Sequence, residues 1–263
     1  MYSEKHALQH YRNQSFVQSM ILLGFIILLI WLDISKQLPL YINPKFILLT
    51  QLSYLLLIPL FAAQLIDALM PVLRLHQHHG HTFSSLRKYL PFFFLLFIAF
   101  AVPENTLTAT LVNSKGLNSP PAVMINYPIE ELPRPLAPVF QQMGTIKITN
   151  LNYTEAMFEL NNFPKDYLGK KVTMAGFVFR SPGLTSNQLS LVRYVVMCCT
   201  ADSLPYGIMC EGVQANSYPE GTWLAVEGTV QMSSYDDKDV PVIKITASDK
   251  IEAPKDPYVY PYN

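Results

Sequence analysis

The chain has 263 residues, of which 50% are hydrophobic and only 14% are charged. A soluble globular domain carries nearer a quarter charged residues, so this composition places the chain with membrane proteins. Nineteen basic and nineteen acidic residues cancel overall, but residues 144–263 hold ten basic against thirteen acidic, which argues against nucleic acid as a partner.

Residues 1–15 are polar and carry Lys5 and Arg12. Phe16 to Leu32 is apolar apart from Gln18 and Ser19, and at 17 residues it is near the lower limit for crossing a ~30 Å hydrocarbon core. A cleaved signal peptide begins in the same way. The run Trp31-Leu32-Asp33-Ile34-Ser35-Lys36 lacks a small-x-small cleavage pattern, so an uncleaved anchor is expected. Phe46 to Met70 predicts a second span of 25 residues, with Pro59 inside it and Asp67 near its end. A carboxylate there must meet a partner or water, or else reach the interface. Tyr89 to Val102 predicts a third span but is short at 14 residues, with a re-entrant segment as the alternative.

Residues 1–112 thus read as a transmembrane region with spans near 16–32, 46–70 and 89–103. Lys5, Arg12, Arg74, Arg87 and Lys88 lie on one side, and Lys36, Lys45 and Lys115 on the other. The positive-inside rule puts the N-terminus and residues 71–88 in the cytoplasm and the C-terminal half outside, in a multi-pass protein of the cell membrane. Residues 113–143 contain Pro120, Pro121, Pro128, Pro133, Pro135 and Pro138, which predicts an extended linker and no helix.

Residues 144–263 predict a small extracytoplasmic domain. Gly144 to Thr149 reads as a strand. Asn152-Tyr153-Thr154-Glu155 fits a capping box opening a short helix to about Leu160, with Ala156, Met157 and Leu160 on its buried face. Strands follow near Val172–Phe179, Leu189–Cys199, Tyr206–Val213, Trp223–Met232 and Val240–Ala247. Gly176 and Gly228 inside strands suggest bulges or barrel bends. The pattern is that of a mostly-β, OB-like small barrel with one short helix, followed by an irregular tail from Pro254 to Asn263.

All three cysteines fall between Leu189 and Gly212. Cys198, Cys199 and Cys210 with Asp202 could fill a tetrahedral site for zinc or another thiophilic metal. Adjacent residues of a regular strand face opposite ways, so a bulge or the strand end would have to turn one of the doublet. Pairing of Cys210 with one of the doublet as a disulfide is a second reading, and simple packing of small thiols is a third. His76, His78, His79 and His81 form another candidate metal cluster, on the cytoplasmic side, unless they are a solvated connector. Residues 144–263 contain no histidine, and neither a GxxxxGK loop nor a GxSxG elbow occurs, so no enzyme is expected and no catalytic or cofactor-binding residues are assigned.

Four stretches carry a family resemblance: Tyr41-Ile42-Asn43-Pro44-Lys45, Gly169-Lys170-Lys171-Val172-Thr173-Met174-Ala175-Gly176-Phe177-Val178, Arg193-Tyr194-Val195-Val196-Met197-Cys198-Cys199-Thr200-Ala201-Asp202, and Trp223-Leu224-Ala225-Val226-Glu227-Gly228. On them the chain resembles the YcgQ-type family of bacterial membrane proteins, described as permease subunits of uncharacterised function. The resemblance implies a multi-span permease partner of the YcgR type. Members of that family can carry a long His/Asp-rich run between the second and third spans, here reduced to His76-Gln77-His78-His79-Gly80-His81. The expected function is a membrane-anchored accessory subunit of a permease that handles a metal or metalloid ion. The alternative is an anchored OB-like binding module for an envelope protein, peptide or sugar.

Overall fold

The computed structural model describes residues 2–70, 86–101, 107–118, 132–235 and 237–261. They fall into two compact units, one of Met1–Pro39 and Pro44–Glu104, the other of Leu40–Asn43 and Asn105–Asn263.

The first unit is helical, with α1 (Tyr2–Ile34), α2 (Ile47–Leu69) and α3 (Leu90–Ala101). Two stretches, Arg12–Ile34 and Pro44–Leu69, are long and apolar enough to cross a membrane. Leu48, Leu52, Leu55 and Leu56 of the second are exposed, as a face meeting lipid would be. The third span expected at 89–103 is seen as the 12 residues of α3. At 1.5 Å per residue these reach about 18 Å, short of the hydrocarbon thickness. Gly24 lets α1 and α3 approach closely, since a Cβ there would lie 2.7 Å from Leu96 Cδ1. Asp33 near the end of α1 accepts hydrogen bonds from Gln51 Nε2 and Tyr54 Oη of α2, each at 3.1 Å. Asp67 is buried and has partners within the protein.

The second unit is a mixed sheet of seven strands: β1 (Thr145–Lys147), β2 (Lys171–Phe179), β3 (Gln188–Val195), β4 (Leu204–Glu211), β5 (Trp223–Tyr235), β6 (Lys238–Lys250) and β7 (Tyr258–Val259). β2 pairs antiparallel with β5 over Lys171–Phe177 and with β3 over Phe177–Phe179. β3 pairs antiparallel with β4, β4 parallel with β6, and β6 antiparallel with β5. Those five strands therefore return on themselves. The two glycines read as bends sit where a neighbouring strand's backbone comes close. A Cβ on Gly176 would lie 2.8 Å from Val192 O, and one on Gly228 only 2.4 Å from Lys244 O. The β5–β6 register shifts between Glu227 and Gly228, which pair with Ala247 and Ile245, so the strand pair is irregular beside Gly228 with Thr246 as the extra residue on β6.

Helix α6 (Tyr153–Asn162) packs on the main core and buries Ala156, Met157 and Leu160, as their spacing predicts. The expected capping box does not form. Asn152 Oδ1 instead accepts from the Thr149 N–H at 2.7 Å, and Glu155 takes the Thr154 hydroxyl. Short helices α4 (Thr110–Lys115) and α5 (Ala137–Gln142) correct the expectation of a helix-free linker. Pro138 lies in the first turn of α5, where its missing N–H has no helical partner to lose. Phe140 of α5 enters the main core, while Ala109 and Val112 pack with Phe177, Val192, Tyr194 and Tyr258 in a second cluster.

That second cluster covers the outer face of β3, so all eight of its residues are buried. The tail is not irregular throughout: β7 pairs parallel with Tyr194–Val195. Buried Arg193 secures it through donations to Asp256 O at 2.8 Å and Tyr258 O at 3.3 Å.

Candidate metal centre

The doublet lies just beyond β3. The sequence predicts a strand through Cys199, but pairing with β4 stops at Val195–Leu204. The backbone beyond it is taken up by other partners. Asn43, fully buried, donates its side-chain amide to Met197 O at 3.0 Å and Val196 O at 3.4 Å. Its own N–H donates to Cys198 O, and the Thr200 N–H donates to Tyr41 O, both at 2.9 Å. Ile42 and Cys199 thus form an isolated antiparallel bridge. On the other side, Asp202 accepts from the Met197 N–H at 3.1 Å and the Cys198 N–H at 2.8 Å. The chain from Thr200 to Asp202 makes one 3-10 turn. Lys115 of α4 holds that turn, its Nζ donating to Ser203 O at 2.7 Å and Ala201 O at 3.0 Å.

Freed from the alternation of a strand, both thiols come to one side. Cys198 Sγ and Cys199 Sγ are 3.7 Å apart. Together with an Asp202 oxygen they all lie within 4.8 Å of one another. Cys198 is exposed and Cys199 half-buried. Hydrogen bonding to Asp202, then to Cys199, pushes the Cys198 thiol up to about 11. Partial burial works to raise Asp202, but the Cys198 thiol and the backbone N–H groups of the turn outweigh it and hold the carboxyl below its ordinary range.

Cys210 is not brought to this corner. It sits opposite Leu189 on β4, at the far end of the β3–β4 pair from Val195, about 20 Å along the strands. It is fully buried in the main core, and burial pushes its thiol up to about 12. The reason is register: inward positions of β4 alternate, and Cys210 falls on the core side. The three-thiolate set expected from the sequence is therefore a two-thiolate set with Asp202 beside it. His76, His78, His79 and His81 lie outside the described residues. Asn43 and Lys115 escaped the sequence reading as parts of the site. Asn43 stands within the Tyr41–Lys45 stretch that carries the family resemblance, which was the available signal.

Beside the corner a cleft of about 420 Å³ opens between α6, the barrel and the segment before α5. Leu136, Phe158, Met197, Leu204 and Tyr206 line it, with Glu155 at its polar side.

The chain is 27% identical to the "Putative two-component membrane permease complex subunit" of Streptococcus mutans, over 93% of this chain and 98% of that one. It is 24% identical to the UPF0703 protein YcgQ of Bacillus subtilis, over 92% and 98% of the two chains. Among solved structures it has a likeness to the small single-stranded DNA-binding protein from Streptomyces coelicolor, at 11% identity and a TM-score of 0.22, over 32% of this chain and 93% of that one. Residues 17–118 match the DUF1980 N-terminal domain and residues 126–261 the DUF1980 C-terminal domain, and the chain accordingly belongs to the DUF1980 family.

Proposed function

We propose that the protein is a membrane-anchored accessory subunit of a permease, with the cysteine corner handling a thiophilic metal or metalloid ion. The observation that carries the permease part is the Streptococcus mutans relative, named as a permease complex subunit and alike over nearly the full length of both chains. The ion part rests on two thiols and a carboxylate gathered within 4.8 Å. In this reading the spans are three, the bilayer is the first partner, and a multi-span permease of the YcgR type is the second. The subunit is not an enzyme and binds no nucleic acid. The β unit is an OB-like barrel: the ring β2-β3-β4-β6-β5 has a three-stranded meander, a parallel β4–β6 contact and antiparallel closure, which supports that fold.

Residues Leu40–Asn43 pair within the β unit and lie in sequence between the two long apolar helices. This supports placing the β unit on the side of the membrane where that connection emerges, outside the cell by the charge bias. With Cys198, Cys199 and Cys210 replaced by alanine, a membrane-impermeant thiol reagent should label a cysteine introduced at Ser248 in intact cells and leave one introduced at Ser84 unlabelled; the reverse pattern overturns the orientation. Mild detergent extraction should recover a multi-span partner, and a homogeneous isolated monomer counts against the permease role. The cleft favours a second reading, a binding module for an envelope protein, peptide or sugar. Loss of function in Phe158→Asp with full function in Cys198→Ser would favour it.

A further inference from the structure

The geometry of the corner narrows which ion it takes. Among the described residues only two thiols meet there, since Cys210 is committed to the core. Each Asp202 oxygen already accepts a backbone N–H, at 3.1 and 2.8 Å, so the carboxylate is anchored to the backbone beside the sulfurs. Zinc in a protein site wants four ligands in a closed tetrahedron, or three and an exchangeable water. A soft monovalent ion is satisfied by two sulfurs, and thiolates select such ions over harder ones. The Cys198 side is exposed, so an ion could enter and leave without unfolding the barrel.

We propose that Cys198 and Cys199 form a two-thiolate seat for a soft, low-coordinate monovalent cation of the copper(I) kind, with Asp202 holding the turn and not ligating. The proposal rests on the ion-handling reading above and names its ion. Binding breaks two S–H bonds and forms two metal–sulfur bonds, each sulfur supplying its electron pair. Two protons leave to solvent, and neither sulfur nor metal changes oxidation state. Asn43 and Tyr41 brace its far wall from the Leu40–Asn43 segment, so the wall is a backbone fixed on both sides.

The test is a copper(I) titration of the detergent-solubilised full chain against a chromophoric copper(I) chelator, under a non-thiol reductant. His76, His78, His79 and His81 are replaced by alanine throughout to remove their contribution. One copper(I) per chain is expected, with two protons released. Affinity should fall more than about 100-fold in Cys198→Ser or Cys199→Ser, stay unchanged in Cys210→Ala, and fall no more than about 10-fold in Asp202→Asn, as for a group outside the coordination shell. A parallel zinc titration should be weaker. Zinc held more tightly than copper(I), with loss of binding in Asp202→Asn, overturns the two-thiolate seat and leaves the ion-handling subunit standing. Binding of either ion that ignores Cys198 and Cys199 overturns both.

Discussion

Arg134 sits in the proline-rich stretch before α5 and reaches the buried carboxylate of Glu159 on α6. Its Nε lies 3.1 Å from both carboxylate oxygens and its Nη2 2.6 Å from Oε2. The Tyr167 hydroxyl donates to the same oxygen at 2.7 Å, and the guanidinium also stacks 3.6 Å from the Phe163 ring centroid. Glu159 is 2% exposed and Arg134 25%. Arg134→Ala leaves a buried carboxylate with one hydroxyl donor. Removing one partner of a buried ion pair costs about 3–5 kcal/mol, which the partial exposure of Arg134 reduces to about 2–4 kcal/mol. For a unit of this size that lowers the midpoint of thermal unfolding by about 5–12 °C. The assay is thermal unfolding of the detergent-solubilised chain followed by tyrosine and tryptophan fluorescence. Arg134→Met with Glu159→Leu should recover most of the loss, because no charge is then stranded. A shift under about 1 °C in Arg134→Ala would refute the reasoning, since water would then be solvating Glu159 and the segment would not be latched to α6.

Three further outcomes are expected. Asn43→Ala strands Val196 O and Met197 O without a donor and should cost about 1–3 kcal/mol, read as a lower unfolding midpoint together with faster alkylation of Cys198. Peptide-resolved alkylation should find Cys198 slow at neutral pH and still accelerating past pH 9, and Asp202→Asn should speed it, because the carboxylate disfavours the thiolate; equal rates in both proteins would contradict that cause. Burial raises the Cys210 thiol to about 12 from an unfolded value near ~8.5, so the stability it contributes is intact below the unfolded value and declines as pH rises toward the folded one. Cys210→Ala should flatten that alkaline decline in an unfolding series from pH 8 to 11, and an unchanged slope would show that other groups cause it.

Apolar run length and charge balance were enough to place two long membrane-compatible helices, because a bilayer demands apolar side chains at every turn and leaves that demand in the composition. Most of the strands were legible for a similar local reason. Branched and aromatic residues alternate or run together, and Gly228 stands beside the β5–β6 register shift, where the Lys244 carbonyl leaves no room for a Cβ. What the chain order could not reveal was set by contacts between distant segments. Cys210 looks equivalent to Cys198 in the sequence, yet register places it in the core, about 20 Å along the strands from the Val195 end beyond which the doublet lies. The doublet itself could face one ion only if the strand ended early, and it ends early because Asn43, some 153 residues away in the chain, takes the carbonyls that a strand would have offered to a neighbour. Arg134 and Glu159 are likewise ordinary charges in the sequence and become a latch only when a proline-rich segment lies against α6. Local propensity is written in neighbouring residues, whereas a site made of three separated segments exists only after the hydrophobic core has fixed their distances.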